Sequence, residues 1–232
     1  MARSLPQHEE ERLVREFFGG ASTGFFVEVG ANHPTINSQT WHLEQAGWTG
    51  VLVEPQPDLA AFLITARTAQ VFAVACSSPE KAGDTLPLHV AGPMSALDRG
   101  KMAAGAQTQY TLMVPVRTLD DILEEADAPT PIDFLSIDVE GHEVEVLRGF
   151  DFVHWQPRLI LLEDHVRNLK AHRFLKRAGY RLIRRAGFNG WYVPDLSPLR
   201  PSRRERWDII RKYYLALPFR KLRNASRRLR GK

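Results

Sequence analysis

The chain has 232 residues, of which 44% are hydrophobic and 25% are charged, as is usual for a soluble globular protein of one domain. Its single cysteine, Cys76, excludes an internal disulfide and suits a reducing compartment. No apolar run approaches the roughly 20 residues that cross a bilayer, and the polar N-terminal segment lacks an apolar signal core. These properties predict a cytoplasmic protein.

Apolar segments that predict strands alternate with helical patterns along most of the chain. A helix is predicted over 6–18, where apolar residues recur at spacings of three and four. Strands are predicted at 24–31, 49–55, 69–77, 133–139 and 157–165, helices at 38–47, 57–67, 119–126, 143–150 and 169–180, two weaker strands within 79–116, and a final antiparallel pair at 181–194 around Gly190. Because the main strands are continuous apolar runs between helices, we predict a doubly wound α/β domain with a parallel sheet covered on both faces.

Ionisable side chains follow several of these apolar strands. Glu54 closes the second strand, Asp138 and Glu140 follow the fourth, and Asp164 and His165 follow the fifth. Ligands of doubly wound sheets bind beyond the carboxyl ends of the strands, so these side chains are expected to share one rim. Carboxylates held together repel unless hydrogen-bond donors or a cation compensate. The rim is therefore expected to bind donors, a cation or both.

The turn after the first strand, which reads GANHPTINS, helps to choose between nucleotide cofactors. Glu54 can accept both hydroxyls of an adenosine ribose, which suits NAD as well as S-adenosylmethionine. The turn has Gly30 but lacks the further glycines that bring a pyrophosphate close to the backbone. We therefore predict S-adenosylmethionine, a cofactor with a ribose and no phosphate. An NAD-dependent oxidoreductase is the less favoured alternative.

Three segments resemble the FkbM family of S-adenosylmethionine-dependent methyltransferases. They read FFVEVGAN, SQTWHLEQAGWTGVLVEPQP and IDFLSIDVEGHEVEVLRGF, and they lie within residues 24–165. The resemblance implies a Rossmann-like class I methyltransferase fold, with a mainly parallel seven-stranded sheet and an antiparallel last strand. We assign residues 1–198, including the N-terminal helix, to this domain. It also implies methyl transfer to a hydroxyl of a sugar, polysaccharide or secondary metabolite, and hence a small-molecule or glycan acceptor. His33-Pro34 departs from the Asp-Gly or Ile-Gly of many relatives.

Within this resemblance, the first two motifs and the start of the third are expected to bind the cofactor. The predicted cofactor-binding residues in these motifs are Glu28, Gly30, Ala31, Asn32, Ser38, Glu54, Pro55 and Asp138, and Ser77 is added from the end of the third predicted strand. Three of them have simpler interpretations, since Glu28 could bond the amides of its own turn while Glu54 and Asp138 cap the helices that follow. Ser95, in the turn-rich middle segment, is a candidate for the wall of the cofactor pocket or of the substrate entrance, and a mobile lid is the alternative for its glycine-rich loop.

The positions of the acids also predict a metal-assisted reaction. Metal-dependent O-methyltransferases of the catechol type place an Asp after the fourth strand and an Asp-Asn pair after the fifth, and Asp138, Asp164 and His165 stand at these places here. Such a set suits Mg²⁺ or, with its imidazole, Mn²⁺, and the cation would lower the pKa of an oxygen nucleophile. Glu140, His142 and His165 are the candidate catalytic bases, with the histidines favoured because imidazole titrates near neutrality. Metal-independent transfer to nitrogen or a carboxylate is the alternative.

The C-terminal segment, residues 199–232, differs in charge from the rest of the chain. It contains 13 lysines and arginines and two acids, although the net charge of the whole chain is only +4. Apolar and aromatic residues at 210, 213, 214 and 217 predict a basic amphipathic helix, which is typical of contact with an anionic membrane surface. The alternative is a helix at 202–217 that docks on the domain and precedes a solvated tail. A binding module for nucleic acid is less favoured.

Overall fold

A central sheet contains seven of the ten strands in the part of the chain that this computed structural model describes, residues 7–92, 94–101, 107–164 and 169–216. In chain order the strands are β1 (Phe25–Val29), β2 (Thr49–Val53), β3 (Gln70–Phe72), β4 (Ala75–Cys76), β5 (Thr85–Val90), β6 (Tyr110–Arg117), β7 (Phe134–Ile137), β8 (Leu159–Glu163), β9 (Tyr180–Ala186) and β10 (Asn189–Pro194). The α-helices are α1 (Gln7–Phe17), α2 (Trp41–Glu44), α3 (Pro57–Ala66), α4 (Leu119–Glu125), α5 (Glu143–Arg148), α6 (Phe152–Trp155), α7 (Lys170–Arg177) and α8 (Arg203–Ile209).

The order of strands in the central sheet is β3-β2-β1-β7-β8-β10-β9. All neighbouring strands pair in parallel except β10, which is antiparallel to both β8 and β9. The order reverses between β1 and β7, so the crevice that receives ligands in such sheets lies at their carboxyl ends. The predicted fold, a doubly wound and mainly parallel seven-stranded sheet with an antiparallel last strand, is confirmed.

Successive residues of the inner strands bury their side chains on opposite faces of this sheet, as the period of two requires. Val27 and Leu135 pack in one core cluster with residues of α4, α5 and α7. Phe26 and Phe134 pack in a second cluster with residues of α1, α2 and α3. All four side chains are fully buried. Both faces are therefore covered, which explains why β1 and β7 are apolar on both sides.

The segment 69–77 is two strands, and the prediction of one continuous strand is wrong. β3 ends at Phe72 after pairing with β2, whereas Ala75 and Cys76 form β4, which pairs in parallel with β6. β4, β6 and β5 form a separate three-stranded sheet. A short apolar run is compatible with either arrangement, because hydrophobicity alone does not say which sheet a residue joins. The predicted final hairpin exists, but it turns at Gly187 and Gly190 lies inside β10.

His42, on α2, is buried, and neither of its ring nitrogens has a hydrogen-bond partner within the described ranges. Burial, and next the charges of Arg15 and Arg67, lowers the pKa of His42 from 6.5 to about 4. The unfolded chain therefore binds a proton below pH 6.5 that the native protein does not bind until about pH 4. Such a group contributes stability above pH 6.5 that is lost as the pH falls toward 4, and the difference corresponds to roughly 3 kcal/mol.

We expect the free energy of unfolding of His42→Leu to depend less on pH, between pH 7 and pH 4, than that of the wild type. The free energy of unfolding, measured by urea titration between pH 7 and pH 4, should fall by roughly 3 kcal/mol less in the variant than in the wild type. His154→Gln, at an exposed histidine on α6, is the matched control and should show the same pH dependence of stability as the wild type. The same pH dependence in His42→Leu and in the wild type would contradict the burial of an uncharged imidazole.

The start of the C-terminal segment is helical and docks on the domain. Ser202 and Glu205 form a capping box at the start of α8, and the helix continues as a π-helix, Ile210–Leu215. Tyr213 is fully buried, and its hydroxyl accepts a hydrogen bond from Arg185 Nη1 at 3.1 Å. Residues 217–232, the most basic part of the predicted tail, lie outside the described residues. No helix within the described ranges is long and apolar enough to span a membrane.

Candidate active site

A cavity of about 370 Å³ opens at the carboxyl ends of β1, β2 and β7. Its floor comes from the turn after β1 and from Glu54 and Pro55 after β2, and Asp138 and Glu140 after β7 form one side. The small sheet contributes the opposite wall with Cys76, Leu88 and the loop after β5, including the candidate Ser95. Seven of the predicted cofactor-binding residues lie in this lining, namely Glu28, Gly30, Ala31, Asn32, Glu54, Pro55 and Asp138.

Glu54 fixes the turn after β1 to the end of β2. Its Oε2 accepts a hydrogen bond from the backbone amide of Asn32 at 2.8 Å, and its Oε1 accepts one from that of Gln56 at 2.8 Å. Burial raises the pKa of Glu54, and these two amides act in the opposite direction by stabilising the carboxylate. A carboxylate has about four lone-pair sites, so each oxygen keeps the capacity to accept a further donor from the cavity.

Gly30 allows the turn after β1 to approach the end of β7. Its φ is +85°, and a Cβ placed on it would lie 1.8 Å from the carbonyl oxygen of Asp138. The amides of Gly30 and Ala31 both donate to the carbonyl of Val53 on β2. Any larger residue at position 30 would therefore push apart the strands that carry the two halves of the cavity.

Glu28 holds the segment that follows the same turn. Its Oε2 accepts from the hydroxyls of Ser38 and Thr40 at 3.0 and 2.5 Å, and its Oε1 accepts from the amide of Gln39 at 2.8 Å. Burial raises the pKa of Glu28, while Thr40, the Gln39 amide, Arg67 and Ser38 oppose that shift. Ser38 lies behind Glu28 and is not part of the cavity lining. Its hydroxyl accepts from the amides of Thr40, the N-cap of α2, and Trp41 at 3.3 and 3.1 Å.

Three carboxylates meet beside the cavity, on Asp138, Glu140 and Glu163, and we call this group the acidic cluster. One oxygen from each lies within 4.8 Å of the others. Within the described ranges, these are the residues whose side-chain oxygens have the spacing of metal ligands. Desolvation, and then neighbouring acids, raises the pKa of Glu163. The pKa of Asp138, which remains exposed, is raised by desolvation on its inner side, while its hydrogen bond with Glu163 opposes the shift and the neighbouring acids add to it. Oxygen ligands at this spacing suit a hard divalent cation, whose charge would offset the repulsion among them.

Comparison with known proteins identifies the family. The model of the methyltransferase FkbM domain matches residues 28–182, which is more than half of the chain. The chain belongs to the FkbM methyltransferase family. This confirms the resemblance seen in the three motifs and the prediction of an S-adenosylmethionine-dependent methyltransferase.

Two further similarities concern individual proteins. A 49-residue segment is 41% identical to Methyltransferase 1 of Beauveria bassiana (strain ARSEF 2860), and the match spans 21% of this chain but only 20% of that protein. A structure of M. capricolum TrmK in complex with S-adenosyl-homocysteine aligns with a TM-score of 0.42 and 10% identity, over 83% of this chain and 68% of that one.

Some predicted site residues of this FkbM methyltransferase do not reach the cavity. His142 is buried on the far side of its turn, where its Nε2 lies 3.0 Å from the hydroxyl of Ser77. Neither residue belongs to the lining, although Ala75 and Cys76 of β4 do. Asp164 is not part of the acidic cluster. The charge of Asp164 acts instead on Tyr213, whose pKa is raised first by burial and next by this carboxylate. His165 lies outside the described residues.

The FkbM chain also has a buried positioning residue that the sequence interpretation missed. Arg67, after α3, pairs with Glu44 at 2.7 Å, and both side chains are at most 4% exposed. The guanidinium also donates to the carbonyl of Pro34 and to the hydroxyls of Ser38 and Thr40. Arg67 thus ties α3 to the segment that Glu28 holds.

We expect Arg67→Met to lower the free energy of unfolding by about 3–5 kcal/mol, because it leaves Glu44 buried without its cation. Arg12→Met is the matched control, since Arg12 pairs with Glu16 on the surface of α1 and an exposed pair contributes about 1 kcal/mol or less. Urea denaturation of both variants at neutral pH measures the difference. Similar small losses in the two variants would show that the buried pair does not stabilise the fold.

Proposed function

We propose that this chain transfers the methyl group of S-adenosylmethionine to a hydroxyl oxygen of a sugar, polysaccharide or secondary metabolite, with a divalent cation held by the acidic cluster. One observation carries the proposal: Glu54 and two members of the cluster, Asp138 and Glu140, line the same cavity. A ribose-binding acid and a site for a cation therefore face a common space, which is of the size that small ligands occupy.

Glu54 is the proposed ribose ligand. Its two oxygens are oriented by the amides of Asn32 and Gln56, so they are held in place before the cofactor arrives. Two vicinal hydroxyls can then donate to the remaining lone pairs. The absence of glycines after Gly30 in this turn favours a cofactor without a pyrophosphate.

The acidic cluster fits the predicted cation, but two of its three members differ from the predicted set. Glu163 stands in place of Asp164, and Glu140 is the third carboxylate in place of His165, which lies outside the described residues. Three hard oxygen ligands favour Mg²⁺ or Mn²⁺ over softer metals. When bound there, such a cation would lower the pKa of the acceptor hydroxyl and so supply an oxygen nucleophile near neutral pH.

The protein's own residues position the reactants and accept the proton. Methyl transfer needs the acceptor oxygen, methyl carbon and sulfur in line, with oxygen and carbon about 3 Å apart. Glu140 is the candidate base that lies in the cavity, and its backbone φ of +48° is fixed by the turn that follows β7. His142 is a weaker candidate because it contacts Ser77 behind the cavity.

The test uses S-adenosylmethionine with an isotopically labelled methyl group and acceptors of three kinds: sugars and other alcohols, amines and carboxylates. We expect labelled methyl ethers, identified by mass spectrometry, that disappear with EDTA and return with Mg²⁺ or Mn²⁺. At a saturating concentration of Mg²⁺, so that the loss of a cation ligand does not limit the rate, Glu140→Gln should lower the rate at least about 100-fold, as for loss of a general base, and His142→Asn should not. Label found in amines or esters, with turnover insensitive to EDTA, would favour the metal-independent alternative instead.

A further inference from the structure

The orientation of α8 on the domain is fixed by its inward face. Glu205 pairs with Arg184 of β9 at 2.7 Å. Tyr213, in the π-helical continuation, is buried against Arg185, whose guanidinium lies 5.6 Å from the centre of its ring. The opposite face of the same helix therefore points away from the domain in a defined direction.

This outward face combines apolar and basic side chains, and we call it the tail face. Trp207 and Ile210 are three positions apart, so they lie along one side of the helix. They are 60% and 36% exposed. Tyr214, which follows at a spacing of four, is 49% exposed, but its hydroxyl lies 3.2 Å from Nε2 of His172 on α7, so it contacts the domain. The tail face consists of Arg203, Arg204, Trp207, Ile210 and Arg211, all exposed.

Trp207 distinguishes this surface from the rest of the protein. Of the five tryptophans, Trp48, Trp155 and Trp191 are buried and Trp41 is half-buried, whereas Trp207 is 60% exposed. A large ring left in water loses the free energy that burial would give it. Tryptophan and tyrosine rings are enriched where an apolar phase meets water, because they are apolar with a polar edge.

The charges around the ring of Trp207 favour an anionic lipid surface. The acids of α8 are already paired, Glu205 with Arg184 and Asp208 with Arg211 and Lys212. The sequence from 217 to 232 adds seven lysines and arginines and no acid. Phosphate groups would attract these cations in either a membrane or a nucleic acid, but Trp207 and Ile210 would gain burial in the lipid headgroup region.

We propose that the tail face binds an anionic membrane surface, with Trp207 inserted among the lipid headgroups and the arginines on their phosphates. The inward face stays docked on β9, so membrane binding holds the whole domain at the bilayer. This inference is independent of the acceptor and of the cation in the active site.

Trp207 itself supplies the measurement, because the other four tryptophans are less exposed. Full-length protein is mixed with vesicles of phosphatidylcholine alone or with phosphatidylglycerol. With the anionic vesicles we expect a blue shift of tryptophan emission, quenching by lipids brominated near the headgroup, and release at high salt as the charges are screened. The neutral vesicles should produce little change.

Two pairs of variants test the surface. Arg203→Gln with Arg204→Gln should weaken binding to anionic vesicles about 30-fold, from about 1 kcal/mol for each basic group near the surface. Arg173→Gln with Lys176→Gln, at exposed basic residues of α7, is the charge-matched control and should bind as the wild type does. Trp207→Ser should weaken sedimentation with vesicles, whereas Met113→Ser, at an exposed methionine of β6, should not.

Three outcomes would overturn the proposal. The first is no sedimentation with anionic vesicles. The second is sedimentation in which the emission of Trp207 neither shifts nor is quenched, since residues outside the tail face would then make the contact. The third is salt-sensitive binding to single-stranded or double-stranded nucleic acid without binding to vesicles, which would make the partner a nucleic acid.

Discussion

Glu54→Gln should weaken the binding of S-adenosylmethionine and of S-adenosyl-homocysteine by about 10- to 100-fold, the range expected when a hydrogen bond to a charged group is lost. The substituted amide has one oxygen and one NH₂ group, but the native carboxylate accepts from the amides of both Asn32 and Gln56. The NH₂ group cannot accept, so the turn and the ribose hydroxyls lose an acceptor together. Titration calorimetry with both compounds measures the change.

The matched control for this variant is Asp58→Asn. Asp58 is exposed in the first turn of α3, four positions from Glu54 and outside the cavity lining, and its substitution removes the same charge. We expect its affinity for both compounds to equal that of the wild type. Affinity retained in Glu54→Gln, together with tight binding of NAD by the wild-type protein, would overturn the proposed cofactor site.

Glu163→Gln should weaken the binding of Mn²⁺ at least about tenfold, because it removes one of the three carboxylates that would hold the cation. Mn²⁺ is used as the probe because the unbound ion is counted directly by electron paramagnetic resonance, without an acceptor or the cofactor. Desolvation and neighbouring acids raise the pKa of Glu163 and of Asp138, so a cation must displace protons there. The affinity for Mn²⁺ should therefore rise with pH in the wild type and rise less steeply in the variant.

Glu124→Gln, at an exposed acid of α4, is the control and should bind Mn²⁺ as the wild type does. Asp164→Asn tests the original sequence prediction and should also bind normally, since Asp164 lies outside the acidic cluster. A wild-type protein that binds no Mn²⁺ at millimolar concentration would remove the cation from the proposed mechanism. Weakened binding in Asp164→Asn with normal binding in Glu163→Gln would reverse the assignment of the ligands.

The arrangement of the central sheet was predictable because its inner strands are unambiguous. The segment from Phe134 to Ile137 is apolar at nearly every position, which is expected only of a strand covered on both faces. The same reasoning fails at 69–77, where a continuous apolar run serves two different sheets. Hydrophobicity reports that a residue is buried, but not which neighbour buries it.

The candidate site was predictable where one motif supplies both the residue and its position. Glu54 and Gly30 depend on strand ends that the sequence marks, and both lie in the cavity. The sequence prediction of Asp164 as a metal ligand stays a prediction, but Glu163, one residue earlier, is the acid that lies beside Asp138 and Glu140. A positional parallel with other enzymes does not say which of two consecutive side chains points toward such a group. The contact between Ser77 and His142 joins residues 65 positions apart, which no local pattern reveals.

The close approach of Gly30 to Asp138 has a consequence for recombination between relatives. Because a Cβ on residue 30 would lie only 1.8 Å from the carbonyl oxygen of Asp138, the backbone conformations at the two positions must be compatible with each other. Chimeras assembled from two parents should therefore inherit both segments from the same one. The hairpin of β5 and β6, which borders the cavity from a separate sheet, is where foreign sequence should be tolerated and where acceptor preference should be exchangeable.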